Sequence, residues 1–250
     1  MAVWRGLFLR EAVSRVSSSR AAWLWLLLEP VFHVSYLMYL FSEIRNRVVG
    51  GIETPVWAMA GVLAFTMFRR TGTQVMNAVG ANQALFAYRQ VKPVDTLIVR
   101  AFVEGFLMLV VSVIVLSGTA LLNIDVIPAD PLGVLAVFLG LWLFGLGFGL
   151  LTSVIKELLP EVGKVIQLLM TPMFLISGVI YPIGRLPQPY RGWLMLNPVA
   201  HGVDAARLAF APHYQAAPEL SIPYIYAFAL VTVFMGLALQ LRYADQLVAK

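Results

Sequence analysis

Cysteine is absent from all 250 residues, so the chain holds no disulfide, no thiolate nucleophile and no zinc–thiolate site. Histidine is nearly absent: His33, His201 and His213 are too few and too scattered for a His-rich metal site, and no metal is expected. No GxxxxGK[ST] occurs, so the chain has no P-loop and is not itself an ATPase. Charge is scarce too. Only 12% of residues are charged while 60% are hydrophobic, whereas soluble domains run at about 25% charged. The mean hydropathy of +0.82 agrees. These shortages describe an all-α integral membrane protein of one domain, residues 1–250. The net charge of +5 then reports membrane topology and gives no ground for nucleic-acid binding.

What is present is a series of apolar runs. About 20 residues are needed to cross the hydrocarbon core. Six stretches qualify: Ala21–Phe41, one beginning near Pro55, Leu97–Leu122, Pro131–Ile155, Val165–Tyr181 and Ile222–Leu241. The first is too long for a signal h-region and lacks a small-x-small exit, so it reads as a retained span. Before it, Arg5, Arg10, Arg15 and Arg20 alternate with Trp4, Leu7 and Phe8, and residues 1–20 read as an interfacial helix. Its pattern has one flaw, because Glu11 falls near the apolar face. With six spans, thirteen Lys and Arg lie on the side of the termini and five on the other, so both termini are expected in the cytoplasm.

The second span carries the strongest signal. Val62–Gln83 reads VLAFTMFRRTGTQVMNAVGANQ. The fourteen residues Pro55–Phe68 cover only about 21 Å, short of a core of about 30 Å. The helix must therefore continue through Arg69 and Arg70 to about Gly80. Along it Arg69, Thr73 and Asn77 share a face with Arg70 and Gln74, while Val75, Met76 and Val79 lie opposite. Polar groups at this depth face protein or water. On the residues alone two readings stand: a hydrated conduit, or arginines that snorkel to the cytoplasmic headgroups. Glu29 in the first span reaches similar depth, so it is expected to pair with Arg69 or Arg70, with His33 one turn away sharing the pairing. In the fourth span Gly140, Gly145, Gly147 and Gly149 read as sites of close helix packing.

Two cytoplasmic loops follow from this count. In the first, Ala84–Gln90 is a short helical stretch broken at Lys92-Pro93, and it carries Phe86, Tyr88 and Arg89. It reads either as an ordinary basic loop or as a segment presented to a cytoplasmic partner. The second, KELLPEVGK, is short and charged. Before the last span, prolines at 182, 187, 189 and 198 break residues 182–221 into two short apolar segments. Asn197 is the expected N-cap of the second. These segments read equally as re-entrant helices or as a folded external cap.

LLLEPVFH, VMNAVGANQALFAYRQVKPVDTLIVRAFVE and SGVIYPIGRLPQPYRGWLMLNPVAHGVDAARL, in that order, carry a resemblance covering nearly the whole chain. The chain resembles the membrane subunits of type-2 ABC exporters, in particular those of bacterial capsular-polysaccharide export. The resemblance implies a homodimer of six-span subunits in the bacterial inner membrane, each joined to a separate ATPase subunit that binds ATP and Mg. It makes residues 84–94 the coupling helix, with Phe86, Tyr88, Arg89 and Lys92 facing the ATPase. It makes 187–210 a pair of re-entrant helices, an outer gate that would include Tyr181, Tyr190, Trp193 and His201. It implies a lipid-linked, often acidic polysaccharide as substrate, with a periplasmic co-polymerase and an outer-membrane channel as further partners. Arg69, Arg70, Thr73, Gln74 and Asn77 would then line the conduit. Rival readings are export of another lipid-linked glycan such as O-antigen or teichoic acid, a membrane enzyme acting on such glycans, and an ion-coupled transporter using Glu29. The last often carries an internal repeat, and none is evident here.

Overall fold

A computed structural model describes residues 6, 8–11, 13, 22–45, 47–87 and 91–248. The long helices are α1 (Ala22–Ile44), α2 (Thr54–Met76), α4 (Pro93–Leu121), α5 (Pro131–Leu158), α6 (Pro160–Ile176) and α9 (Ile222–Arg242). Between them lie a hairpin of β1 (Val48–Val49) and β2 (Ile52–Glu53), a short α3 (Ala78–Ala81), a 3-10 turn at Gln83–Ala87 and, before α9, α7 (Tyr190–Leu194) and α8 (Pro198–Phe210). A last short helix, α10, covers Ala244–Val248. Among the described residues four helices are long and apolar enough to cross a membrane: α1, α4, α5 and α9. The protein is therefore a helical membrane protein, as its composition required.

Helix α2 is the axis of the fold. Nearly every side chain from Thr54 to Phe68 is buried, and α1, α4, α5 and α8 all pack on it. Its start is set by Pro55 in the first turn, where a missing N–H costs nothing. The hairpin ahead of it turns through Gly50 and Gly51, at φ 62° and 95°, a region where side chains other than glycine are strained. Helix α2 passes straight through Arg69 and Arg70. It pauses at Asn77, whose side-chain amide donates at 2.8 Å to Thr73 O, the same carbonyl that its backbone N–H reaches at 3.2 Å. Helix α3 then resumes to Ala81, and the predicted continuation to about Gly80 holds with one residue of interruption.

Helix α5 packs against α2 with one face and α9 with the other. The four glycines divide between these faces. Gly145 and Gly149 admit α2, where an added Cβ would stand 2.9 Å from Phe68 O and 2.5 Å from Val75 Cβ. Gly140 and Gly147 admit α9, against Tyr226 and Thr232. They serve packing, as the sequence suggested. The stretch expected at Val165–Tyr181 is displaced: α6 begins with Pro160 and ends at Ile176. Gly178 at φ 70° breaks the helix there, so Val179–Tyr181 belong to the following turn. Of the expected interfacial segment, residues 6, 8–11 and 13 are described and helical, and the rest of 1–20 lies outside the described residues.

Candidate functional site: a polar cavity between α1, α2 and α6

A cavity of about 1000 Å³ opens between three helices. From α2 it takes Thr66, Arg69, Arg70, Thr73, Gln74 and Asn77; from α1, Trp25, Phe32, Tyr36, Glu29 and His33; from α6, Gln167 and Thr171. All five residues of the expected conduit stripe, and both expected pairing residues, therefore line one space. The period of 3.6 residues explains the α2 contribution, since Arg69, Thr73 and Asn77 follow each other at one turn. Thr73 also donates back to Arg69 O at 2.8 Å, which keeps its hydroxyl satisfied inside an apolar bundle. The α1 wall is aromatic. Phe32 and Tyr36 stack with ring centroids 6.3 Å apart at 13°, and both residues are exposed.

Four carboxylates and cations set the electrostatics, and here the sequence reading needs correcting. Arg70 is paired, but its partner is Glu104 of α4, with Nε 3.4 Å from Oε2 and the Glu104 side chain fully buried. Among the described residues Glu29 makes no direct ion pair; it borders the same cavity as Arg69 and His33, with its charge opposed to that of Arg69. Depth matched as expected, but α1 presents Glu29 to the open space while α4 presents Glu104 directly to Arg70. The signal for Glu104 lay in the sequence all along: a lone carboxylate within an apolar run, RAFVEGFLM, requires a partner.

The polar amides of the wall are held by basic residues of α4 and α5. Gln74 Oε1 accepts from Arg100 Nη2 at 2.7 Å, and Arg100 also binds Glu11 of the N-terminal helix. That pair explains the flaw in the amphipathic pattern, because Glu11 points into the protein rather than to lipid. Asn77 Oδ1 accepts from Lys156 Nζ at 2.6 Å, at the end of α5 where the second loop begins.

In the first loop, Phe86 is not turned outward as an anchor. It is 7% exposed and packs with Val79, Leu97, Ala101, Val154 and Leu247. The 3-10 turn closes over an apolar hollow, and Phe86 fills it. Lys92 is exposed and caps α4, its N–H donating to Asp95 Oδ2 at 3.2 Å. Tyr88 and Arg89 lie outside the described residues.

On the far side, α7 and α8 cover about 8 and 20 Å at 1.5 Å per residue, each too short to cross a core of about 30 Å. Asn197 caps α8 as expected, its Oδ1 accepting from Val199 N at 3.0 Å. Tyr190 and Trp193 meet edge to face at 5.7 Å and are exposed, whereas Tyr181 is half-buried. His201 is buried: its Nδ1 accepts from Ser221 N at 3.0 Å, so the proton sits on Nε2 and is donated to Met195 O at 2.7 Å. It ties α8 to the start of α9.

A residue that the sequence reading counted only for its charge dominates this side. Arg207 of α8 is fully buried, and it lies 3.9 Å over the Trp57 ring. It donates to Gly178 O and Val179 O at 2.8 Å each and to Trp57 O at 3.2 Å. Nearby Asp204 accepts from Tyr214 OH at 2.5 Å and from Ala217 N at 2.7 Å. Burial pushes the Tyr214 phenol up, opposed by Arg207 and reinforced by Asp204, so it remains a donor. Among the described residues no group of His, Asp and Glu could hold a metal ion.

Comparison with known proteins gives this arrangement a family. The ABC-2 type transporter family matches residues 3–211. The chain is 34% identical to the polysialic acid transport protein KpsM of Escherichia coli, over 93% of its own length and 90% of that protein. It is 24% identical to the capsule polysaccharide export inner-membrane protein CtrC of Neisseria meningitidis, over 95% and 89% of the two chains. It is 22% identical to the corresponding protein BexB of Haemophilus influenzae, again over 95% and 89%. A helical membrane protein without a P-loop, matched to this family over most of its length, belongs to the ABC-2 type transporters as their membrane-embedded, non-enzymatic subunit.

Proposed function

We propose that the chain is the inner-membrane permease of an ATP-driven exporter that moves a lipid-linked, acidic capsular polysaccharide from cytoplasm to periplasm. The observation that carries this reading is the cavity. It sets Arg69, the Glu104-paired Arg70 and four uncharged polar side chains of α2 in one space with the exposed aromatic residues of α1. The Arg69 guanidinium, which the Arg70–Glu104 pair leaves free of that carboxylate, attracts carboxylate or phosphate, and aromatic faces suit the apolar faces of sugar rings. The similarity to KpsM, CtrC and BexB supplies the substrate class.

In this reading α2 and α6 join α1, α4, α5 and α9 as spans, giving six, with both termini in the cytoplasm. Helices α7 and α8 dip in from the periplasmic side as an outer gate, and two copies of the chain face each other across the conduit. A separate ATPase binds ATP and Mg and pushes on residues 84–94. Movement there reaches the cavity through Lys156 to Asn77 and Arg100 to Gln74. A periplasmic co-polymerase and an outer-membrane channel would carry the polymer onward. Glycans other than capsule, such as O-antigen or teichoic acid, use the same chemistry and are the alternative cargo.

Co-purification tests the class. A stable two-plus-two complex with a soluble ATPase is expected, with capsule lost from cells when the chain is deleted. A chain that purifies without an ATPase and whose deletion leaves surface glycans unchanged would refute the proposal.

A further inference from the structure

The two adjacent arginines of the cavity differ in what already holds them. Arg70 meets Glu104, whose side chain is fully buried, and its own side chain is only 12% exposed. A buried carboxylate without a counter-ion is costly, and removing one partner of such a pair leaves the other uncompensated. Arg69 is next in sequence, so it is rotated by about 100° around the axis of α2. Both arginines border the cavity, but that turn separates Arg69 from Glu104, which pairs with Arg70. Among the described residues its guanidinium has no ion pair or hydrogen bond, and the carboxylate that acts on it, Glu29, stands across the open space on α1. Its planar set of N–H donors, suited to bidentate capture of a carboxylate or phosphate, is therefore available to a ligand.

We infer that Arg69 is the anion-contacting, specificity-determining residue of the cavity, Glu29 its competitor for incoming anions, and Arg70 a positioning residue bound to Glu104. This assignment rests on the export reading above. It makes Glu29 a regulator of affinity: while nothing is bound, its charge offsets that of Arg69, and an acidic sugar residue must displace that influence. The division also explains why two arginines stand together. One secures α2 to α4, and the other is left to the substrate.

The test uses the full-length chain purified in detergent, with a fluorescent sialic acid oligomer as acidic probe and a dextran oligomer of equal length as neutral probe. Binding is measured at low salt, and stability by thermal unfolding. Arg69→Gln is expected to weaken acidic-probe binding about ten-fold, the loss of one charged hydrogen-bonding partner, with no change in melting. Arg69→Lys should recover part of it, and Glu29→Gln should tighten it. Arg70→Gln and Glu104→Gln should each lower the melting temperature. The double variant Arg70→Met with Glu104→Met should restore stability, as apolar replacement of a buried pair does, and keep acidic-probe binding.

If the wild-type chain prefers the acidic probe and Arg69→Gln binds it equally well, the assignment is overturned while the export reading stands. Loss of acidic binding in the stable double variant would overturn the positioning role of Arg70. A wild-type chain that binds neither probe overturns the export reading, and this inference with it.

Discussion

Lys156 Nζ donates to Asn77 Oδ1 at 2.6 Å, joining the last turn of α5 to the point where α2 breaks. Lys156 is the only basic residue in that last turn of α5, so it also answers the helix's negative end. Lys156→Met should cost about 1–2 kcal/mol, read as a lower melting temperature in detergent. Lys156→Arg should recover most of it. In a reconstituted complex, the Met variant should hydrolyse ATP but export less. Normal export by the Met variant would remove Lys156 from the coupling path.

Arg207 and Gly61 are matched in the same way. A Cβ on Gly61 would stand 2.4 Å from Arg207 Nη2, and three backbone acceptors and the Trp57 ring fix that guanidinium in place. Gly61→Ala should therefore destabilise by about 1–3 kcal/mol, as overpacking does. Arg207→Lys should cost more than a surface exchange, because an ammonium cannot reproduce the planar fork or the stacking. Thermal unfolding of the purified variants decides both.

Two glycines predict opposite signs. Gly145→Ala places a Cβ 2.9 Å from Phe68 O, a backbone atom that cannot swing aside, and should cost about 1–3 kcal/mol. Gly118 lies within α4 with nothing within 4 Å of its added Cβ. Gly118→Ala should stabilise by about 0.5–1 kcal/mol, through helix propensity alone. Equal effects at the two sites would contradict the packing of α5 on α2.

Phe86 separates two roles that the sequence could not. Buried against Leu97, Val154 and Leu247, Phe86→Ala should cost the isolated chain about 3 kcal/mol. Exposed Lys92→Ala should leave its melting almost unchanged. An outward anchor would behave in reverse: Phe86→Ala would spare the isolated chain and break only its association with an ATPase. Melting the variants alone and then with the partner ATPase separates the two cases.

Much of this protein was legible in its residues. Scarce charge and long apolar runs required a helical membrane protein, because lipid satisfies no backbone polar group. The spacing of Arg69, Thr73 and Asn77 placed a polar stripe on one face of α2, and the structure lines a single cavity with it. The glycines of the fourth span announced close approach, and Asn197 announced a helix start. All of these depend on local periodicity or on the conformational habits of single residues.

What needed the tertiary structure was the identity of partners. Counting residues along two antiparallel helices estimates depth, and by depth Glu29 suited Arg69 or Arg70. It does not supply the rotation of each helix about its axis. Packing sets that rotation: Gly145 and Gly149 seat α5 against α2, and α4 turns Glu104 toward Arg70. The same long-range packing turned Phe86 inward, set the aromatic rings of α1 across from Arg69, and buried Arg207 among carbonyls contributed by residues distant in the chain. The sequence by itself determined that this is a membrane protein with a polar face on its second long helix. Only the folded chain decided which charges on that face are neutralised and which remain open to a ligand, because side-chain pairing depends on the azimuth of neighbouring helices and no single helix encodes it.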